Sequence, residues 1–288
     1  MSEIQLIHGN CLTEMNKIET GSIDLILCDL PYGTTQNKWD SVIPLDQLWK
    51  HYKRLLKYRG AIVLFAQTPF DKILGCSNID WLKYEWIWEK ERGTGFLNAG
   101  KMPLKNHENI LIFYPELPKY NPQKTKGKCY STKKGTKSSN YGNFIGKDTI
   151  NNGDRHPVSV LKFSREKCKA HPTQKPVELM EYLIKTYTNE GDLVLDNCMG
   201  SSTTGIACLN TGRNFIGIEK EEIYFQLAES RITAHSEYQK SLKSEYIPPI
   251  VKLYKERYDG SATIPCAILE KLKQYFSVEL VNNFYSIK

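Results

Sequence analysis

The sequence predicts an α/β fold, a doubly wound sheet of seven strands with helices on both faces. Two observations carry this. Seven short apolar runs suit strands, and most are continuous rather than alternating, as expected where both sheet faces are covered. Amphipathic helical segments lie between several of them, and strands that alternate with helices favour a parallel sheet.

In chain order, the strand runs are Ile4–Ile7, Ile23–Cys28, Ala61–Phe65, Tyr84–Trp88, Asn109–Tyr114, Asp192–Asp196 and Asn214–Ile218. A first helix is read from Leu45, Leu48, Trp49, Tyr52, Leu55 and Leu56, which share one face, with Gly60 as the stop. A second is read from Val177, Met180, Leu183, Ile184 and Tyr187, with Pro176 at its first position. An apolar helix ends near Gly212, and Ile223, Leu227 and Ile232 mark another. Two regions break this rhythm. Residues from Leu117 to about Arg165 are rich in Lys, Gly, Ser, Asn and Tyr without a period, and such long stretches are usually functional or mobile. From about Glu237 a partly helical appendix follows, with Pro248-Pro249 near its start. Trp81, Trp86 and Trp88 read as core and sheet residues, and His8, His51 and His235 as structural or exposed.

The 288 residues suit one large domain or two modest ones. A 40% hydrophobic and 25% charged composition excludes global disorder. The longest apolar stretches, such as Ala61–Ala66, are far short of the ~18 residues that would span a bilayer, and the N-terminus lacks the pattern of a signal peptide. Eight scattered cysteines form no Cys-x-x-Cys pair, so a zinc ribbon is unsupported. Cys28, Cys198 and Cys208 sit in apolar runs as buried free thiols do, which fits a reduced, cytoplasmic setting. The net charge is +7, yet the window from Leu117 to Lys147 holds eight lysines and no acid. The rest of the chain therefore nets about −1. Charge concentrated in this way is the footprint of a polyanion-binding element on a neutral body, although a charge run taken alone is more often a solvated loop.

Two constellations reach the carboxyl ends of strands, where open α/β sheets bind ligands. The first is Asp29-Leu30-Pro31-Tyr32. The Asp29 carboxylate and the Leu30 carbonyl can accept both hydrogens of an exocyclic amino group, while Tyr32 offers a face for its heterocycle. By itself this pattern is weak. The second runs from Asp196 through the small-residue loop Asn197–Thr204 to a helix and the next strand, ending at Glu219. A small-residue loop at a helix N-terminus lets a ligand approach the backbone, and an acid at the next strand end suits ribose hydroxyls. The loop has neither the Gly-x-Gly-x-x-Gly spacing nor a phosphate-binding lysine, so it fits a nucleoside without a diphosphate better than a dinucleotide or ATP.

Together these residues resemble the S-adenosylmethionine-dependent DNA amino-methyltransferases, which methylate adenine N6 or cytosine N4. The family's catalytic motif, Asp/Asn/Ser-Pro-Pro-Tyr/Phe/Trp, reads Asp29-Leu30-Pro31-Tyr32 here, and its Asp-Pro-Phe-x-Gly-Ser-Gly-Thr-Thr cofactor motif reads Asp196 to Thr204. The block His171-Pro172-Thr173-Gln174-Lys175-Pro176, the opening Gly9-Asn10-Cys11, Trp88-Glu89-Lys90 and His107-Glu108 are further likenesses. Because the catalytic motif precedes the cofactor motif, the arrangement resembles the permuted β-class. The resemblance implies a Rossmann-like sheet divided into a catalytic half (1–116), a basic target-recognition insert (117–167), a cofactor half (168–236) and an appendix (237–288).

It also implies roles. Asp29, Leu30, Pro31 and Tyr32 are the catalytic set. Asn10, Asp29, Lys175, Asp196, Cys198, Gly200, Ser201, Ser202, Thr203, Thr204 and Glu219 are the cofactor set, with Asn10 on the adenine amino group, Glu219 on the ribose and Lys175 on the methionine carboxylate. A surface lysine at a helix start is an equal reading of Lys175. Leu30 replaces a proline used only through its carbonyl, and Ser202 and Cys198 replace a glycine and a phenylalanine. In the insert, Lys124, Lys126, Lys128, Lys133, Lys134 and Lys137 would meet phosphates, while Asn140, Tyr141 and Asn143 would read bases. Double-stranded DNA is the expected partner, with a cognate restriction endonuclease and a homodimer also in view, and no metal. A bacterial or phage-encoded cytoplasmic enzyme acting on adenine N6 is expected. Cytosine N4, RNA or protein glutamine, and a decayed homologue that only binds DNA stay open at this point.

Overall fold

The computed structural model describes residues 2–33, 37, 40–133, 148–165 and 174–243. Its strands are β1 (Ile4–His8), β2 (Ile23–Asp29), β3 (Leu56–Ala66), β4 (Leu82–Thr94), β5 (Lys105–Phe113), β6 (Thr125–Lys126), β7 (Tyr130–Thr132), β8 (Thr149–Asn151), β9 (Asp154–Arg155), β10 (Val160–Lys162), β11 (Leu193–Asp196) and β12 (Asn214–Glu219). Its helices are α1 (Cys11–Glu14), α2 (Leu45–Leu55), α3 (Phe70–Cys76), α4 (Val177–Tyr187), α5 (Thr203–Thr211) and α6 (Glu222–Lys243). All seven expected strands form. They join one sheet in the order β1-β12-β11-β2-β3-β5-β4-β10, in which β5 alone runs against the rest.

The sheet has eight strands rather than seven. The eighth, β10, lies inside the stretch read as an insert and pairs parallel to β4, with Val160 opposite Ile87. Only Leu161 of its three residues is buried, too little to leave a periodic signal.

Strand alternation divides the core, since successive side chains point to opposite faces. Leu25 and Leu27 of β2 face α4, α5 and α6 together with Val63, Trp86, Ile112 and Phe215. Ile26 and Cys28 face α1, α2 and α3 together with Ile62, Leu64, Phe113 and Ile218. Covering both faces is what makes these strands apolar throughout. In α2, Leu48, Trp49, Tyr52 and Leu55 are buried, and each such side chain is worth roughly 1.5–3 kcal/mol of burial. Trp86 and Trp88 are core residues, as read.

Gly60 is not the stop of α2. The helix ends at Leu55, and Leu56 already begins β3. Gly60 lies within that strand because a Cβ there would come within 2.9 Å of the Asp24 carbonyl oxygen.

Part of the insert is docked on the body. Lys119 pairs with Asp192 at 2.6 Å and Asp24 at 3.2 Å, and the Asn121 amide donates to the Lys185 and Thr188 carbonyls at the end of α4. Beyond it, β6 pairs with β9 and β7 with β8, a nested antiparallel ribbon of mostly exposed residues. At the other end, α6 runs through Glu237 to Lys243, so the appendix does not begin at 237. Residues 244–288 lie outside the described residues. Among those described, no helix is long and apolar enough to cross a membrane.

Candidate active site

A cavity of about 510 Å³ opens at the carboxyl edge of the sheet and is lined by both constellations. β2 and β11 are neighbours, which brings Asp29 and Asp196 into one cavity across 167 residues of sequence.

On the β11 side, Asp196 is buried. Its Oδ2 accepts from the Thr204 hydroxyl at 2.5 Å and its Oδ1 from the Cys198 amide at 3.1 Å. Burial pushes its carboxyl up to about 6 against these hydrogen bonds. The loop is pinned from two directions. The Tyr52 hydroxyl donates to Asn197 Oδ1 at 2.6 Å, and Arg231 of α6 donates to the Ser201 carbonyl and hydroxyl. Glu219 closes the unit. Its Oε2 accepts from the Gly200 amide at 2.9 Å and its Oε1 from the Glu221 amide at 2.8 Å. Burial raises this carboxyl too, while the amides of Glu221, Gly200 and Lys220 oppose the rise.

Cys198, Gly200, Ser201, Thr203 and Thr204 line the cavity; Ser202 does not. Ser202 takes the left-handed conformation, φ 58°, in which the family has glycine, and its buried hydroxyl has no hydrogen-bond partner. A side chain there costs about 1–2 kcal/mol relative to glycine. Asn10 lines the cavity, but its amide oxygen already caps α1 through the Leu12 amide at 3.0 Å, which leaves one lone pair for a ligand. Cys28 and Cys208 are buried thiols, and burial raises Cys28 to about 12. Cys198 is only half-buried.

On the β2 side, Asp29 is the last strand residue. Tyr32 donates its hydroxyl to Asp29 Oδ1 at 2.6 Å and stacks its ring on Phe70, centroids 5.4 Å apart. Lys175 is not the surface lysine of the alternative reading; it lines the cavity. It is 7% exposed, donates to Asp29 Oδ2 at 2.5 Å and pairs with Glu108 Oε2 at 3.1 Å. Glu108 Oε1 in turn accepts from buried Lys90 at 2.5 Å. The result is a buried chain, Lys90–Glu108–Lys175–Asp29–Tyr32, with two positive and two negative charges.

Burial works against the charges of Glu108, Lys175 and Asp29. For Glu108 the two lysines win and hold its carboxyl at about 2. For Lys175, burial is outweighed by Asp29 and Glu108, so the amine stays above the ordinary lysine range. For Asp29, burial and Glu108 outweigh Lys175 and Tyr32, and its carboxyl rises. The sequence offered His107-Glu108 equally as a pair that orients the active site and as a surface pair, and gave Lys90 no role beyond a family likeness. Both sit among other polar residues, Lys90 between Glu89 and Glu91 and Glu108 between His107 and Asn109, so nothing local singles them out, and only the pairing of β4 with β5 joins them. In the insert, Lys124, Lys126, Lys128 and Lys133 are exposed, and Lys126 pairs with Asp154. Lys134, Lys137, Asn140, Tyr141 and Asn143 lie outside the described residues.

A family model described as DNA methylase, of the N6/N4 methyltransferase type, matches residues 23–230, from β2 into α6. The chain belongs to the N6/N4 DNA methylase family. Over 250 residues it is 29% identical to the DNA adenine methyltransferase YhdJ of Escherichia coli K12, covering 81% of this chain and 84% of that protein. It is 30% identical over 250 residues to the type II methyltransferase M.HpaI of Haemophilus parainfluenzae, covering 79% and 74%. Among solved structures, the M1.HpyAVI–SAM complex superposes with a TM-score of 0.56 at 29% identity, covering 79% of this chain and 99% of that one.

S-adenosylmethionine is the family's methyl donor, and the cavity fits it. Gly200, at φ 51°, has no atom within 4 Å of where a Cβ would lie, so the loop backbone borders open space. Asp196, Glu219 and Asp29 line the cavity, acids of the kind that would meet ribose hydroxyls and cationic groups. The loop 197–204 carries no lysine or arginine that would favour a diphosphate. The volume lies in the range usual for small-molecule sites, roughly 300–1,000 Å³.

Proposed function

We propose that the chain is a site-specific DNA methyltransferase acting on the exocyclic N6 of adenine. One observation carries the mechanism: the Asp29 carboxylate, held by Lys175 and Tyr32, stands in the same cavity as Asp196 and Glu219. A stacked, paired base cannot reach that carboxylate, so the target must be flipped out.

The adenine amino group is a poor nucleophile because its lone pair is delocalised into the ring. Asp29 and the Leu30 carbonyl accept its two N–H bonds, which favours a tetrahedral nitrogen and frees the lone pair. A carboxylate has about four acceptor positions, so Asp29 can serve the base while keeping Lys175 and Tyr32. Phe70 backs one face of Tyr32 and leaves the other for the base. Pro31 pushes Leu30 toward extended φ/ψ and so aims its carbonyl. When bound, S-adenosylmethionine supplies a methyl group on a cationic sulfur. Asp196, Gly200, Ser201, Thr203, Thr204 and Glu219 orient the donor, and proximity carries much of the rate. Lys175 acts on Asp29 rather than on the donor.

Adenine is favoured over cytosine by Asp29 at the head of the motif and by the name of the YhdJ relative. The lysines of the insert grip DNA phosphates. The DNA substrate puts the enzyme in a bacterial cytoplasm, and the type II names of several relatives support a place beside a cognate restriction endonuclease. A homodimer is read from the resemblance alone. Sequencing DNA from expressing cells with base-modification detection tests the reading. N6-methyladenine should appear at one motif and vanish with Asp29→Ala, whose cofactor affinity by calorimetry should stay largely intact. Modified cytosine would overturn the adenine assignment, and unmodified DNA in cells holding folded protein would overturn the activity.

A further inference from the structure

We infer that the turn joining β4 to β5 is a wedge that enters the duplex beside the target base and holds the flipped state open. This rests on the DNA-methylation reading above and adds a part that the cavity does not contain.

Position is the first argument. Asp29 is in register with Phe65, Phe65 with Ile110, and Ile110 with Trp86. β3 ends at Ala66, opposite Asn109. β5 reaches four residues further, to Lys105, which carries the β4–β5 pair about 13 Å beyond the carboxyl edge at ~3.3 Å per residue. The same two strands line the cavity on the way out, through Lys90 and Thr94 on one and Glu108 on the other. The tip is therefore continuous with the catalytic pocket.

The tip is also built. A Cβ on Gly93 would come within 2.7 Å of Leu104, so the strands close tightly at its base. Thr94 donates its hydroxyl to the Lys105 carbonyl at 3.1 Å. Gly95, at φ 87°, turns the chain into a 3-10 turn at Phe96–Asn98, and the Asn98 carbonyl then accepts from the Lys101 and Met102 amides.

What this frame presents is the third argument. Phe96 is 78% and Leu97 83% exposed, and Met102 and Leu104 are exposed beside them. From Arg92 to His107 the charged residues are Arg92, Lys101 and Lys105, with no acid. Exposed apolar side chains beside cations suit a partner with stacked apolar rings between anionic rails. Proteins that open DNA insert Phe, Leu or Met between base steps in this manner. The Phe96 ring can fill the gap a flipped base leaves, while Lys101 and Lys105 reach the flanking phosphates.

The test uses the full chain and duplex oligonucleotides carrying the motif found by modification sequencing. In one duplex the target adenine faces thymine; in the other it faces an abasic site, so that opening is already done. The F96A/L97A variant should lose about tenfold or more in kcat/KM on the paired duplex, since unstacking a step is worth a few kcal/mol. It should lose no more than about twofold on the abasic one, where little unpairing remains to be done. Cofactor affinity by calorimetry should not move, and F96W should keep the wild-type ratio. Equal losses on both duplexes, or none on either, would overturn the wedge. So would an unchanged rate with a lost dimer in sedimentation, which would make the tip a protein contact. Wild-type enzyme inert on both duplexes would remove the DNA reading itself, and the wedge with it.

Discussion

Lys175→Met removes the charge that faces Asp29 at 2.5 Å and Glu108 at 3.1 Å while keeping an apolar stem of similar length under the Phe65 ring. In the wild type, burial and Glu108 already lift Asp29 above the ordinary carboxylate range, and Lys175 is the main opposing influence. An opposite charge within ~4–6 Å lowers a carboxyl by about 1–3 pH units. The Asp29 side chain keeps 26% of its surface in solvent, so loss of Lys175 raises its carboxyl further, short of the top of that range. Asp29 is the stronger acceptor for the amino hydrogen when ionised, so activity falls as pH falls through its pKa. Raising that pKa moves the acidic limb of kcat/KM to higher pH by the same amount. The assay is transfer of a tritiated methyl group to DNA across roughly pH 5–9, where kcat/KM reports groups of the free enzyme. Lys175→Met should be deeply impaired at neutral pH and recover toward alkaline pH, while Lys175→Arg should keep the wild-type limb. A loss that is flat across pH, or a limb that does not move, would refute the idea that Lys175 sets the charge on Asp29.

Glu219→Ala should weaken S-adenosylmethionine binding by roughly 1–3 kcal/mol and change saturated turnover less; an unchanged dissociation constant would leave Glu219 only as the anchor of the Gly200 and Glu221 amides. Asp196 has its folded pKa raised from 3.8 to about 6, so the folded state binds the extra proton and its contribution to stability is lost as pH rises through that window. Denaturant melts of the unliganded protein should therefore show Asp196→Asn gaining on the wild type by about 2 kcal/mol between pH 4 and pH 7, and a constant difference would show that the acid is better solvated than its burial implies. In the insert, Lys126 is spent on Asp154, so Lys124, Lys128 and Lys133 should dominate. The slope of log K for DNA against log salt should lose about 2.7 when all four become glutamine, with cofactor affinity unmoved; an unaltered slope would place the grip elsewhere.

The sequence by itself determined the order of the elements and what stands at their ends. Continuous apolar runs, helix faces and breaking residues are local signals, and they located β1 to β5, β11, β12, α2 and α4 as well as the acids Asp29, Asp196 and Glu219 at strand ends. Where local signals were thin, they failed. β10 has one buried residue, α3 has seven residues in all, and Gly60 looked like a helix stop because its close approach to Asp24 comes from another strand.

The tertiary structure alone decided how those ends meet. Lys175 lies 146 residues from Asp29, yet donates to it, and Glu108 joins Lys175 to Lys90 only because β4 and β5 pair in one register. Asn10 and Ser202 were assigned by motif position; the fold sets Asn10 at the cavity while its amide oxygen also caps α1, and leaves Ser202 buried outside the lining. A side chain's partners and charge state depend on what packs across the sheet from it. That is set by long-range register and burial, which no local pattern along the chain encodes.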